Sequence, residues 1–265
     1  MKKYLVIGNP ISHSLSPRLH NYWLKQNNID AIYDKIKLEE DGIKEIIHDI
    51  KKEKIAGCNV TVPFKKKVIP FLDSLSSEAE KTQSVNTIIF EKGNLIGHNT
   101  DIAGFDKAIK ALNFNMKDKK ILILGAGGVV PSLIVALNKM GASEITISNR
   151  TSKKAEDLKI QFNKINTVSW GEVPDFDMII NATSLGLKND ENIILDYSKI
   201  SPEKFFYDVI YNPSETNFLK SAKKNGNKIE NGKKMFIYQA QASFKIWNNL
   251  EPKVDDKVME LLNWL

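Results

Sequence analysis

The sequence contains one cysteine, Cys58, among its 265 residues. A single cysteine excludes an intramolecular disulfide and zinc sites that need paired cysteines. No apolar run reaches the about 18 residues that a membrane-spanning helix needs. The first apolar run stops at Gly8-Asn9-Pro10, too early for a signal peptide. Internal repeats and low-complexity tracts are also missing. From the cysteine count and the short apolar runs, we expect a cytoplasmic protein without a metal site.

The positive charge is moderate and spread along the chain. With 38 Lys and Arg against 32 Asp and Glu, the formal net charge is +6. The lysines stand in short groups such as Lys51-Lys52 and Lys65-Lys66-Lys67, with acidic residues between the groups. This pattern favours a solvated, lysine-rich surface over nucleic-acid or membrane binding. It leaves open whether the protein is a monomer or a homodimer.

Apolar periodicity and turn residues predict alternating strands and helices in the first part of the chain. Ser16 is expected to be the N-cap of the first helix, with Pro17 at its first position, and Lys92-Gly93 is expected to turn a hairpin. Strands are predicted at 4–7, 31–35, 58–62, 85–91 and 94–99. Helices are predicted at 17–26 and 42–52. The alternation indicates an α/β layer.

The second part of the chain has the pattern of a parallel sheet with crossover helices. Strands are predicted at 120–124, 144–148, 177–181 and 205–209. Helices are predicted at 101–112, 129–140, 232–247 and 253–265. A boundary near 101–118 separates two α/β units, and the final helices can return to either one.

The segment 59–65 combines a strand pattern with polar groups. Val60 and Val62 alternate with Asn59 and Thr61, so the apolar and polar side chains are expected on opposite faces of a strand. A proline at position 63 should end that strand, and Lys65 follows. Two hydrogen-bonding groups and an ammonium at a strand end suggest a pocket for a polar small molecule. The alternative is an exposed strand end with a solvated lysine.

A glycine-rich turn follows the predicted strand 120–124 and opens a helix. Gly125-Ala126-Gly127-Gly128 in this setting indicates a Rossmann-type turn that cradles a pyrophosphate. Val130 and Pro131 weaken the pattern, since a small residue normally stands there. After the next strand comes Asn149-Arg150-Thr151, where an NAD site would place an acidic residue. Arg150 can instead pair with a 2′-phosphate, so NADP is the predicted cofactor.

Other polar residues lie at the ends of predicted elements. Ser14 and Ser16 precede the first helix, and Asn86-Thr87 and Asn99-Thr100-Asp101 flank the hairpin strands. Helix capping is the alternative role for Ser16 and for Asp101.

Together these motifs closely resemble shikimate dehydrogenase. The matching residues occur in order along most of the chain: 8–17, 20–21, 59–65, 85–87, 97–101, 125–128, 149–151, 181–186, 208–213, 239–240, 243–244 and 247. The resemblance implies NADPH-dependent, reversible reduction of 3-dehydroshikimate to shikimate, in the biosynthesis of chorismate and aromatic amino acids. It also implies two α/β domains with a cleft between them. Residues 1–101 with about 235–265 would bind substrate, and 102–234 would form a Rossmann-type NADP domain.

The resemblance implies roles for individual residues. Lys65 and Asp101 would be the catalytic pair, with the ammonium stabilising the charge that develops on the carbonyl oxygen. The substrate-binding set would be Ser14, Ser16, Asn59, Thr61, Lys65, Asn86, Asp101, Tyr211 and Gln239. The cofactor-binding set would be Gly125, Ala126, Gly127, Gly128, Asn149, Arg150, Thr151, Thr183, Val209 and Gly232, with Met235 beside the nicotinamide half.

The sequence departs from the family pattern at two places. Gln83-Ser84 stand where the family usually has Gly-Ala, and Val129-Val130-Pro131 stand where its glycine loop usually continues with small residues. Two alternative functions stay open: a quinate/shikimate dehydrogenase with relaxed cofactor use, and a non-catalytic NADP-binding relative. Arg150 argues against the first, and the presence of Lys65 and Asp101 argues against the second.

Overall fold

The structure is a computed structural model that describes residues 1–188 and 191–262. The chain divides into two compact units. The first unit comprises Met1–Gly104 and Ile237–Leu265, and the second unit is Phe105–Phe236. Both divisions fall inside helices. Among the described residues, no helix combines the length and apolarity needed to cross a bilayer.

Twelve strands and nine α-helices are found in the described residues. The strands are β1 Lys2–Gly8, β2 Ala31–Lys37, β3 Gly57–Val60, β4 Ser74–Leu75, β5 Thr87–Glu91, β6 Asn94–His98, β7 Lys120–Leu124, β8 Glu144–Ser148, β9 Asn166–Val168, β10 Met178–Asn181, β11 Phe205–Asp208 and β12 Lys228–Glu230. The helices are α1 Ser16–Gln26, α2 Ile43–Lys51, α3 Ser77–Thr82, α4 Asp101–Ala111, α5 Val130–Lys139, α6 Ser152–Gln161, α7 Asn217–Lys224, α8 Lys233–Asn248 and α9 Asp256–Leu261.

The first unit contains a mixed six-stranded sheet in the order β2-β1-β3-β5-β6-β4. β1 pairs in parallel with β2 and β3, whereas β5 is antiparallel to β3 and β6. The apolar stripe of α2 packs with Leu5, Ile7 and Val60 in one buried core. This packing follows from the spacing of the four isoleucines in α2, which places them on one helix face.

A cluster of aromatic rings links α1, β1, β2 and α8. His20 of α1 stacks on Tyr33 of β2 with ring centroids 4.2 Å apart. Tyr4 lies opposite Tyr33 in the β1–β2 register and stacks on Trp247 of α8 at 5.0 Å. Because these rings are nearly completely buried, they dock α8 onto the sheet through apolar contact.

The second unit contains a six-stranded sheet in the order β12-β11-β10-β7-β8-β9, with every pairing parallel. The predicted parallel sheet is therefore confirmed. Strands 120–124 and 144–148 have the predicted bounds. Their runs of β-branched and leucine side chains are buried, as expected for strands that are covered on both faces.

Two local predictions were wrong. The predicted strand 58–62 ends at Val60, and Val62 beyond it is 55% exposed, so the alternation does not continue to Val62. Ser16 is the first residue of α1 rather than its cap, and the hydroxyl of Ser14 accepts the Ser16 N–H at 3.3 Å.

Several short elements had no clear sequence pattern: α3, α6, α7, β4, β9 and β12. In α6, for example, only Ala155 and Leu158 are buried, and the other eight residues are polar or exposed. The predicted helix 253–265 is shorter, since Asp255 caps α9 through the Val258 N–H at 3.1 Å, and residues 263–265 lie outside the described residues.

The buried histidine of the aromatic cluster should make the protein acid-sensitive. Burial lowers the pKa of His20 to about 3. The folded state favours the neutral imidazole, so its contribution to stability is complete above the unfolded pKa of about 6.5 and is lost as the pH falls towards the folded pKa. When the pH falls from about 7 to about 4, the free energy of unfolding of the wild-type protein should fall by about 3 kcal/mol more than that of His20→Phe.

Urea unfolding at both pH values measures this difference. His48→Gln, which removes an exposed histidine of α2, should keep the pH dependence of the wild-type protein. If the free energy of unfolding changed equally with pH in His20→Phe and in the wild-type protein, His20 would not be a buried, neutral histidine.

Candidate active site

Lys65 and Asp101 form an ion pair within the first unit. Lys65 Nζ lies 2.5 Å from Asp101 Oδ2, and the two side chains are 12% and 8% exposed. Lys65 follows the buried anchor Phe64, and its carbonyl accepts the Val85 N–H at 2.9 Å. The lysine is therefore held beside the hairpin, and the alternative of a solvated lysine is wrong.

Asp101 is the first residue of α4, but its carboxylate does not cap the helix. The side chain of Asn99 accepts the N–H groups of Asp101 and Ile102 at 3.1 and 3.4 Å. Asn99 thus takes the capping role that was the alternative for Asp101, and the Asp101 carboxylate is left to interact with Lys65.

Asn86, just before β5, orients the carboxylate of Asp101. Its Nδ2 donates to Asp101 Oδ1 and to Thr100 Oγ1, both at 2.9 Å. Its Oδ1 accepts the Thr100 backbone N–H at 2.8 Å. The backbone donor fixes which end of the amide carries oxygen, so the NH₂ group must face the carboxylate.

Asn59 lies deeper, with only 7% of its surface exposed. Its Oδ1 accepts the hydroxyl of Tyr33 at 2.7 Å. Its Nδ2 lies 3.0 Å from each of three acceptors: the Asn86 carbonyl, Thr87 Oγ1 and Ser243 Oγ. The amide is therefore engaged by the protein itself.

The remaining predicted substrate residues are distributed over both units. Ser14 and Thr61 are half-buried, Ser16 is buried, and Gln239 is half-buried on α8. Together with Asn59, Lys65, Asn86 and Asp101 they belong to the first unit. Tyr211 belongs to the second unit, where its ring stacks on Phe236 at 4.5 Å.

The thiol of Cys58 is fully buried in the apolar core of the first unit. Burial raises its pKa, so the nucleophilic thiolate is disfavoured. Cys58 therefore acts as a packing residue.

The glycine loop of the second unit is shaped for close backbone approach. Gly125 has φ of +109°, and a Cβ there would lie 2.9 Å from the carbonyl oxygen of Ala182. At Gly127 the nearest atom would be that same oxygen, at 3.8 Å. The loop leads into α5, whose Val130 and Pro131 are buried in the first turn. The side chains of Val130 and Pro131, which depart from the usual pattern, are therefore accommodated in the buried core.

The geometry after β8 suits an anion. Arg150 is exposed, and Asn149 Nδ2 donates to the carbonyl of Thr151 at 2.8 Å. Thr151 precedes α6 without making a side-chain capping bond. A guanidinium and a hydroxyl at the N-terminal end of a helix fit a 2′-phosphate by charge and by hydrogen bonding. The residues of the second unit therefore fit NADP.

A buried network supports the other predicted cofactor residues. Thr183 follows β10 and donates to Asn181 Oδ1 at 2.7 Å, and Asn181 Nδ2 donates to Asp208 Oδ1 at 3.0 Å. Thr216 donates to Asp208 Oδ2 at 2.6 Å. Burial raises the pKa of Asp208 to about 6, while these donors favour its charged form. The network fixes the carboxyl ends of β10 and β11.

Gly232 and Val209 are packed backbone to backbone in the second unit. A Cβ at Gly232 would collide with the carbonyl of Val209, so only glycine permits this approach. Met235, one turn further on in α8, is 6% exposed.

Sequence reasoning gave no role to Tyr33, Thr87, Thr100 or Ser243, although each hydrogen-bonds to Asn59 or Asn86. It also gave no role to Asp208, which is connected to Thr183 through Asn181. Four of these residues lie inside the motifs that carry the resemblance: Thr87, Thr100, Ser243 and Asp208. Their position in those motifs was the one sequence feature that could have indicated a role. Tyr33 carried no signal, since a tyrosine in a strand is ordinary.

Two family models match the chain. Residues 6–88 match the shikimate dehydrogenase substrate binding domain. Residues 106–201 match shikimate / quinate 5-dehydrogenase.

Individual relatives match nearly the whole chain. Shikimate dehydrogenase (NADP(+)) of Pelagibacter ubique is 58% identical, covering 99% of each chain. The structure of shikimate dehydrogenase from Aquifex aeolicus has 38% identity and a TM-score of 0.92, covering 100% of this chain and 98% of that one. Shikimate 5-dehydrogenase from Thermus thermophilus, in complex with NADP(H) and shikimate, has 31% identity and a TM-score of 0.89, covering 99% and 98%.

The glycine loop offers a matched test of the close approach at Gly125. Gly125 and Gly171 both have positive φ, but a Cβ at Gly171 would meet nothing within 4 Å. Both alanine variants carry the conformational cost of about 1–2 kcal/mol, and Gly125→Ala adds a clash worth about 1–3 kcal/mol. We expect urea unfolding to show a larger loss for Gly125→Ala, and equal losses would refute the tight contact.

Proposed function

The chain belongs to the shikimate dehydrogenase family, and from this premise we propose that Lys65 and Asp101 are its catalytic pair. The protein is an NADP-dependent oxidoreductase that reversibly reduces 3-dehydroshikimate to shikimate in aromatic amino acid biosynthesis. The observation that supports this role for the pair is their buried contact: Lys65 Nζ and Asp101 Oδ2 lie 2.5 Å apart.

The pair supplies the acid–base chemistry of a ketone reduction. Bound NADPH provides the hydride, which no side chain can supply. Lys65 donates a hydrogen bond and then a proton to the carbonyl oxygen as negative charge develops there. Asp101 holds the ammonium in place, and in the reverse direction Lys65 takes the proton from the hydroxyl. The low exposure of both groups strengthens these interactions by excluding water.

The substrate residues divide by the chemistry they offer. Ser14 and Ser16 offer hydroxyls for the carboxylate of the substrate. Thr61 and Gln239, both half-buried, offer groups for the ring hydroxyls. Tyr211 is proposed to lie beside the substrate.

Asn59 and Asn86 are proposed to serve the substrate mainly by shaping the site. Their amides already bind protein groups, with Asn86 on Asp101 and Asn59 on the Asn86 carbonyl.

The second unit is proposed to hold the cofactor. Residues 125–128 would receive the pyrophosphate and Asn149, Arg150 and Thr151 the 2′-phosphate. Thr183, Val209, Gly232 and Met235 would border the nicotinamide half. This assigns residues 1–101 with about 235–265 to substrate binding and 102–234 to NADP. We further propose that the enzyme works in the cytoplasm as a monomer or a homodimer.

The function as a whole is tested by mixing the protein with shikimate and NADP and following NADPH absorbance. We expect NADPH formation with shikimate, and a higher kcat/KM with NADP than with NAD. Quinate serves as the substrate control. No NADPH at high enzyme concentration would refute the function and favour a non-catalytic NADP-binding relative.

Lys65→Ala tests the catalytic pair. Removing the ammonium removes the proton donor, so we expect kcat to fall by about 10²–10⁴, with a smaller change in the KM for shikimate. Lys66→Ala is the matched control, because Lys66 is the exposed neighbour of Lys65 and its loss should leave kcat near the wild-type value. A Lys65→Ala kcat close to that of Lys66→Ala would remove Lys65 from the mechanism.

Arg150→Gln tests the proposed 2′-phosphate site. A charge-assisted pair contributes about 1.5–3 kcal/mol, so we expect the KM for NADP to rise about ten- to hundredfold. The kcat/KM with NAD, which has no 2′-phosphate, should stay within about twofold. Lys159→Gln removes an exposed charge from the last turn of α6 and should alter neither value. Equal losses with both cofactors would place Arg150 elsewhere.

A further inference from the structure

Two hydroxyl groups beside the catalytic pair have no role in the chemistry described so far. Thr87 begins β5 and Ser243 lies on α8, and the side chains of both residues are completely buried. A buried hydroxyl costs free energy unless it is hydrogen-bonded. The partners of these two hydroxyls therefore indicate what they do.

Both hydroxyls connect the amide of Asn59 with the amide of Asn86. Thr87 Oγ1 lies 3.0 Å from Asn59 Nδ2 and 3.0 Å from Asn86 Oδ1. Ser243 Oγ lies 3.0 Å from Asn59 Nδ2, 2.8 Å from Thr87 Oγ1 and 3.2 Å from Thr100 Oγ1. Thr100 in turn accepts from Asn86 Nδ2 at 2.9 Å.

The direction of these bonds follows from the two amide groups, because Asn59 Nδ2 can only donate and Asn86 Oδ1 can only accept. Each hydroxyl has one proton to donate. Ser243 can therefore donate to Thr87 Oγ1, the hydroxyl that lies closest to it at 2.8 Å. Thr87, which also accepts from Asn59, can then donate to Asn86 Oδ1.

The donations run in one direction and end at the catalytic carboxylate. Asn59 donates to Thr87, Thr87 donates to Asn86, and Asn86 donates to Asp101 Oδ1. In such a series each bond polarises the next. The series also opposes rotation of the Asn86 amide, which would turn its oxygen towards the carboxylate.

We propose that the hydroxyls of Thr87 and Ser243 are positioning groups for the reaction, which hold Asn86 and through it the carboxylate of Asp101 against Lys65. This inference rests on the proposed function of the Lys65–Asp101 pair. The two hydroxyls should therefore affect kcat more than the KM for shikimate. A displaced Asp101 carboxylate misplaces the proton donor Lys65 but leaves the other substrate contacts intact.

Two substitutions at one position separate hydrogen bonding from packing. Thr87→Val keeps the shape of the side chain but removes the hydroxyl, whereas Thr87→Ser keeps the hydroxyl but removes the methyl group. We expect Thr87→Val to lower kcat about five- to thirtyfold, the equivalent of one buried hydrogen bond of about 1–2 kcal/mol. The KM for shikimate should change less than about twofold, and Thr87→Ser should recover most of the lost kcat.

Tyr4→Phe is the matched control. The Tyr4 hydroxyl is a partly buried donor that connects the sheet to α8, through Asn248 Oδ1 at 3.0 Å. It is not part of the series that ends at Asp101. Its removal should lower the unfolding temperature about as much as Thr87→Val and leave kcat near the wild-type value. If Tyr4→Phe lowered kcat equally, general loosening of α8 would explain both results and the proposal would be wrong.

Ser243→Ala gives an independent arm should Thr87→Val fail to fold. It should lower kcat in the same direction. The double variant should lose less than the product of the single effects, because both residues act through Asn86.

Two results would overturn the positioning role while wild-type activity is normal. One is a wild-type kcat in both Thr87→Val and Ser243→Ala, and the other is an equal loss in Thr87→Val and Thr87→Ser. Absence of shikimate-dependent NADPH formation in the wild-type protein would instead overturn the proposed function itself.

Discussion

The buried contact between Lys65 and Asp101 places the strongest constraint on the first unit. Removing two charged groups from water costs several kcal/mol each, and their mutual attraction offsets this only when further hydrogen bonds complete the shell. The carboxylate obtains such a bond from Asn86 at 2.9 Å. Asn86 in turn is fixed by the backbone N–H of Thr100. Much of the polar interior of this unit can be understood as the surroundings that one ion pair requires.

That requirement explains how the two sides of the sheet differ. The buried face of α2 consists of isoleucines, which pack with Leu5, Ile7 and Val60 in one apolar core. The packing of α8 combines aromatic rings with hydroxyls and amides, such as Ser243 against Asn59. Apolar contact supplies most of the free energy of docking, and the hydroxyls add direction, because a hydrogen bond fails when its angle is wrong. The orientation of the site residues thus depends on α8 as well as on the strands.

The sequence was most informative where one physical signal acted alone. β7 and β8 are continuous β-branched and leucine runs, and their bounds were predicted correctly. It was least informative where solvent-exposed polar residues form a helix, as in α6, which has only two buried side chains. At Val62 the alternation was real in sequence but not in structure, because the strand had already ended at Val60. The contact of Lys65 with Asp101 was expected only from the resemblance, since nothing local brings residues 36 positions apart together.

The same limit explains why the amides were harder to interpret than the charges. An asparagine offers two donors and an acceptor in every environment, so its residue type does not distinguish a ligand-binding amide from one that binds protein groups. The neighbours decide: Asn59 meets three acceptors and a tyrosine hydroxyl and is 7% exposed. A substrate hydroxyl at that amide would have to displace an existing bond for little net gain. A half-buried side chain such as that of Thr61 loses less hydration when a ligand binds, which supports its proposed role in recognising the ring.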